Sequence, residues 1–281
     1  MNKIASIGMI GVVALLVFTG CKKNDNNPSS TEKINRVKKL STGTENKVFL
    51  YDNDSRLVRI NSSDGYSIRF TYSSSEIVMQ IYSSNDQPDP QGKYSFTIAN
   101  GLITSGRKYL PNGAVVHEYG YRYDNQQRLE AVTFNIKDFT GNNSETHNYQ
   151  LTYDASDNLQ QLIFKRSAAG VSSDSGSVTI TYLSDKSFIT WKNMGFDYFG
   201  KAPVGHQLQG QVAIPFSLVE KIHPAQKAVK TVETKNYQWN PGTKNWTLKS
   251  SDNQTHPETD YQYNELQWLI KYMSYTIEWD S

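Results

Sequence analysis

The sequence predicts an all-β protein: a curved antiparallel meander of repeated β-hairpins, interrupted by one long loop insertion. Three observations predict it. A tyrosine-centred unit recurs six times, turn-forming residues follow the tyrosine, and the composition holds 18 Tyr and 11 Phe against 5 Met. Aromatic and β-branched residues fit a pleated, half-buried surface better than a helix.

The unit runs over ten to twelve residues. Tyr51 is followed six positions later by Leu57 and three beyond that by Ile60; Tyr72, Val78 and Ile81 repeat the spacing. So do Tyr123, Leu129 and Val132; Tyr153, Leu159 and Leu162; Tyr182, Phe188 and Trp191; and Tyr263, Leu269 and Tyr272. Two residues before each tyrosine stands another apolar residue: Phe49, Phe70, Tyr121, Leu151, Ile180 and Tyr261. Period-two spacing up to the tyrosine places both side chains on one face of a strand. Turn formers follow, as in Asp52-Asn53-Asp54-Ser55 or Asp124-Asn125. The three-residue step after the returning aliphatic breaks strict alternation, so that residue is expected to cap the turn or sit at a β-bulge.

Two further hairpins complete the series. Tyr94 to Ile98 leads through Asn100-Gly101 to Leu102-Ile103, and Asn-Gly is the strongest short hairpin signal. Tyr237 and Trp239 lead through Asn240-Pro241-Gly242 to Trp246 and Leu248. Nine or ten hairpins result, each marginal alone, so stability must come from neighbours packing their apolar faces together. Residues 193–224 carry Gly195, Gly200, Pro203, Gly205, Gly210 and Pro215. They form the insertion, with one short helix expected near 216–222, and are suited to fill the concave side of the sheet. The repeat domain spans 46–281 without a conventional linker.

The pairs Tyr51-Asp52 with Arg56-Leu57, Tyr123-Asp124 with Arg128-Leu129, and Tyr153-Asp154 with Asn158-Leu159 resemble the YD repeats of RHS-type proteins. They also resemble those of uncharacterised Bacteroidota-type surface lipoproteins. The glycine usual before the Arg-Leu pair is replaced by Ser55, Gln127 and Asp157. The resemblance implies a β architecture and a surface or secreted setting, and brings no catalytic residues.

The N-terminus has the layout of a secretory leader. Lys3 gives a positive start, Ile4 to Phe18 are uncharged and apolar, and Phe18-Thr19-Gly20 precedes the only cysteine, Cys21. This end resembles a bacterial lipobox, with Phe18 where Leu is usual, which implies a leader over 1–20 and a diacylglycerol on Cys21. Residues 21–45 are polar and read as a lipidated tether. The expected partner there is the membrane, through the anchor, at the outer membrane or cell surface. Several acyl chains would hold such an anchor without a spanning helix.

Composition limits the chemistry. With 29 basic and 27 acidic residues the chain lacks the basic stripe that nucleic acid would require. One cysteine excludes an internal disulfide. His117, His147, His206, His223 and His256 lie far apart and show no metal-ligand spacing, so neither metal nor cofactor is expected. Asp52, Asp54, Asp64, Asp86 and Asp89 cluster in turns without the order of a calcium loop and are expected to cap them. No catalytic motif occurs. A binding or scaffold role is expected, for glycan, peptide or another envelope protein, with Trp268, Trp239 and Trp246 as the ligand platform. Trp268 stands out because Leu269 holds the repeat's apolar slot, which leaves Trp268 to point outward; Trp191 and Trp279 are the remaining indoles. The alternative is a secreted hydrolase whose carboxylate pair carries no local motif. A transmembrane barrel is disfavoured, because the strands read as short and lipidation would be superfluous.

Overall fold

The computed structural model describes residues 35–138, 140–168, 171–190, 192–199 and 227–280. The leader, Cys21, Trp191, His206, His223 and the helix expected near 216–222 lie outside the described residues. Among the described residues seventeen strands follow one another. They are β1 (Arg36–Thr42), β2 (Glu45–Tyr51), β3 (Leu57–Ser62), β4 (Ser67–Tyr72), β5 (Glu76–Tyr82) and β6 (Pro88–Ala99). Next come β7 (Leu102–Tyr109), β8 (Val115–Tyr123), β9 (Leu129–Lys137), β10 (Asn143–Tyr153), β11 (Leu159–Ala168) and β12 (Val171–Ser187). After the insertion come β13 (Lys227–Asn240), β14 (Asn245–Thr255), β15 (Tyr261–Tyr263), β16 (Leu269–Tyr272) and β17 (Tyr275–Asp280), with a single 3-10 turn at Glu258–Asp260.

The all-β meander is therefore the fold. Sequence neighbours pair antiparallel from β1 to β14 and from β15 to β17, and β17 pairs back onto β1 with Leu40 opposite Ile277. β14 takes its ladder from β13 and β15 takes its ladder from β16. Between them His256 N donates to Lys230 O and Met273 N donates to Asp260 O. One stretch of chain thus changes partners, and the ladder returns on itself.

β1 corrects the domain boundary. It lies inside the stretch read as tether, yet Val37 and Leu40 are buried and the strand is hydrogen-bonded on both sides. Sequence composition concealed it because Lys38, Lys39 and Ser41 face away from the core and dominate the local polarity.

Burial follows the repeat. Phe49, Phe70, Tyr121, Leu151, Ile180 and Tyr261 are all buried, as are Leu57, Leu129, Leu159 and Leu269. The expected bulge falls between Leu50 and Tyr51, Arg122 and Tyr123, Thr152 and Tyr153, and Gln262 and Tyr263. The unit at Tyr72 departs from this. Its turn is one residue shorter, Ser73 N donating to Glu76 O, and it has no bulge, so Ile77 and Met79 point inward where Val78 was expected. The opposite face is polar: Thr146, Asn148, Gln150 and Thr152 alternate with buried His147, Tyr149 and Leu151 along β10.

Ile189 and the described first residues of the insertion, 193–199, pack into the core. Ile189, Met194, Phe196 and Phe199 are buried, with the Phe196 ring 5.6 Å from that of Phe70 and Phe199 5.4 Å from Tyr121. Its carbonyls also serve the sheet. Val37 N donates to Asn193 O, Leu57 N to Gly195 O and Ile103 N to Tyr198 O. Gly195 has φ +65°, and a Cβ there would lie 2.7 Å from the Tyr51 ring, so only glycine fits.

Candidate functional site

The end of the sheet where β2, β8, β10 and β15 finish is built from one repeated turn. In residues 52–56, 124–128, 154–158 and 264–268 the first N–H donates to the fifth carbonyl and the fourth N–H to the first carbonyl. The fourth residue is left-handed each time: Ser55, Gln127, Asp157 and Gln267 have φ between 60° and 62°. The first side chain caps the turn. Asp124 Oδ1 accepts from Gln126 N and Arg128 N at 2.9 Å each, and Arg128 Nε donates to Asp124 Oδ2 at 2.7 Å. Burial pushes the Asp124 carboxyl up, but these hydrogen bonds outweigh it and hold it below the usual carboxylate value. Asp52 and Asp154 behave alike, and Arg128 reaches on to Asp157 at 3.1 Å, linking successive turns.

Behind each turn the tyrosine ring folds inward onto the core. The hydroxyls of Tyr51, Tyr72, Tyr123, Tyr153 and Tyr182 donate to the carbonyls of Val37, Leu57, Ile103, Leu129 and Leu159, at 2.5–2.8 Å. The bulge withdraws that carbonyl from the ladder, and the phenol satisfies it. Tyr263 donates to Ser187 O at 2.7 Å, spanning the insertion. Trp279 Nε1 donates to Leu269 O at 2.8 Å, so Trp279-Asp280 acts as a further copy with indole in place of phenol. Burial raises these tyrosine pKa values, for Tyr263 to about 12.

The 264–268 turn differs from the other three. Its first residue is Asn264, which accepts from Leu266 N and Trp268 N but carries no charge. Its fifth is Trp268, where Arg56, Arg128 and Asn158 fold back onto their carboxylates. Without that clamp the indole turns to Trp279, at 6.0 Å between ring centroids and 54° between planes. The two rings wall a cleft of about 270 Å³, with Phe188 and Leu269 as further apolar lining and Asn35, Ser187, Thr190, Asn193 and Gln267 as polar lining.

Trp239 and Trp246 do not join it. They face each other across β13–β14, 5.3 Å apart, near the tip of that hairpin at the opposite end of the sheet. Ten residues of strand, about 30 Å, separate Trp239 from Val229 near the start of β13. The three indoles named for the platform therefore fall at two separate places, because alternate strand ends lie at opposite ends of the sheet. The partner of Trp268 is Trp279. Its signal was Ile277-x-Trp279-Asp280, the repeat's apolar-x-Tyr-Asp with one ring exchanged.

Of the turn aspartates, Asp52 and Asp64 act as the expected caps, Asp64 Oδ1 accepting from Tyr66 N and Asp52 Oδ1 from Asp54 N, whereas Asp86 takes the left-handed position of its turn and Asp89 lies in β6. Among the described residues no three His, Cys, Asp or Glu gather in a metal-binding group. His147 is buried between Phe134 and Tyr149 and is held by Glu145, itself paired with Arg166 at 2.7 Å. The Arg166 hydrogen bond leads in keeping the Glu145 pKa low, opposite in direction to what a catalytic acid requires.

No family model matches the chain, and no curated protein matches it. Among solved structures it is similar to a porin-like protein from Bacteroides vulgatus, with a TM-score of 0.55 and 13% identity, covering 86% of this chain and 98% of that one. A porin-like protein from Bacteroides uniformis aligns over the same shares at TM-score 0.49 and 12% identity. A chain of the TcdB2-TccC3-Cdc42 crystal structure aligns over 73% of this chain and 10% of its own length at TM-score 0.28 and 9% identity. At these identities the first likeness is one of fold.

Proposed function

We propose that the chain is a non-catalytic binding module of the outer membrane or cell surface, anchored by lipid on Cys21, that engages glycan at the Trp268–Trp279 cleft. The observation that carries this reading is an uncharged, indole-walled cleft on the rim of a sheet whose interior is occupied by its own rings. The fold shared with a porin-like Bacteroides protein fits an envelope setting. A pore is disfavoured, since membrane barrels turn apolar residues outward and polar ones inward, and β10 does the reverse. Hydrolysis is disfavoured because the cleft lining holds no carboxylate.

Two measurements test it. Cys21→Ser should move the protein from the membrane to the soluble fraction, and continued membrane retention would contradict lipid anchoring. A glycan array probed with the detergent-purified full chain should give hits that weaken in Trp268→Ala. An array without hits, together with capture of a defined envelope protein, would replace the glycan with a scaffold role.

A further inference from the structure

Resting on that reading, we infer that the cleft is a site for the terminal ring of a neutral glycan: one pyranose stacked on Trp268, with its hydroxyls toward Gln267, Ser187 and Asn35.

Size comes first. A volume of about 270 Å³ lies just under the ~300–1,000 Å³ of drug-sized pockets, which suits one ring and not an extended chain. Geometry narrows this further. Two indoles 6.0 Å apart and tilted by 54° touch each other and leave no slot between them, so they form an angled wall with one face to offer. A ring can stack on that face from one side only, as the end of a glycan does. Trp279 is fixed because its Nε1 is committed to Leu269 O.

The chemistry of the lining selects the ligand class. Every polar residue in it is an amide or a hydroxyl, and none is charged. A uronate, sulfate or phosphate would find no cation, whereas a purely aliphatic ligand would set carbon against the polar side chains of Asn35, Ser187 and Gln267. A neutral pyranose has one apolar C–H face and a rim of hydroxyls, which matches both halves. Asn193 shapes the wall: its Oδ1 accepts from Thr190 N at 3.0 Å and Thr190 Oγ1 at 2.7 Å, and its Nδ2 donates to Asn35 O at 2.9 Å.

Gln267 supplies an independent handle. It sits at φ +61°, where glycine is sterically favoured, yet carries a long amide on the cleft. Glycine there relieves the backbone and removes the amide together, so stability and binding should move in opposite directions.

The test uses the detergent-purified full chain and ligand-observed NMR with methyl glucopyranosides, mannopyranosides and galactopyranosides, beside glucuronate and hexaproline. At least one neutral pyranoside should bind, at least about tenfold more tightly than glucuronate or hexaproline. Trp268→Ala should weaken it by about tenfold or more, and Trp246→Ala should leave it unchanged. Gln267→Gly should raise Tm while lowering affinity; a purely structural glutamine would raise Tm alone. Failure of every neutral pyranoside, preference for glucuronate or hexaproline, or unaltered binding in Trp268→Ala each overturns the inference. Array hits that persist in Trp268→Ala would overturn this site and leave a glycan-binding module standing, whereas an empty array would remove both.

Discussion

The same five-residue turn is built at both ends of the sheet, with different residues in its critical position. At the tyrosine end the left-handed residues are Ser55, Gln127, Asp157 and Gln267. At the opposite end, in turns 62–66, 83–87, 110–114 and 138–142, the hydrogen bonds are identical and the residues are Gly65, Asp86, Gly113 and Gly141. A side chain in this conformation costs roughly 1–2 kcal/mol. It persists where the surroundings over-determine the backbone. At the tyrosine end they do so. Both ends carry caps and bulges, but at this end a phenol tied to a neighbouring carbonyl also fixes the strand entering the turn. Among the described residues the opposite end shows no such ring ladder, and glycine takes over. Asp86 is the instructive exception, because Arg69 grips its carboxylate and Arg59 lies 3.9 Å from it. Anchoring and glycine are alternative solutions to one steric problem.

The largest expected effect lies in the ladder itself. Tyr153→Ala should cost about 3–5 kcal/mol, as for other large aromatics packed on a core. Tyr153→Phe keeps the ring and leaves Leu129 O without its donor, for about 1–3 kcal/mol. Urea unfolding measures both. If Tyr153→Phe loses nothing, the hydroxyls do not hold the turns and the comparison fails.

pH offers a second approach. Tyr51, Tyr72, Tyr123, Tyr153 and Tyr182 have folded pKa values raised by burial above the ordinary 10.0. Their contribution is fully present below pH 10 and is lost as pH rises toward the folded values. The part of the tyrosinate absorbance that Tyr153→Phe removes should therefore emerge only as the fold melts; its ionisation in the folded protein would mean an exposed ring. Asp52, Asp124 and Asp154 have the opposite sign. Their pKa values are depressed below 3.8, so that share of stability is held above pH 4 and lost as pH falls further.

The smallest effects set the two ends side by side. Gly113→Ala should destabilise by about 1 kcal/mol, whereas Gln127→Gly should stabilise by several tenths to about 1 kcal/mol. Equal and opposite shifts would show that the strain is the same at both ends. A null result at Gln127 would mean that the ring and cap have already relaxed it.

Much of this was written in the chain. Period-two burial around Phe49 and Tyr51, the bulge implied by the step from Leu57 to Ile60, and the Asn100-Gly101 turn, with both residues at positive φ, follow from local rules. The unit at Tyr72 misled, because a turn shorter by one residue exchanges the faces of a strand, and no residue type announces that loss. β1 was hidden by its polar outer face.

The sequence alone determined the strand-turn-strand unit and its inward face, because steric and hydrophobic periodicities act over a few residues. Only the tertiary structure decided which ends of the strands meet. It set Trp279 beside Trp268, left Trp239 and Trp246 at the far end, and returned β17 to β1, because such contacts depend on how many strands intervene and not on the residues beside them.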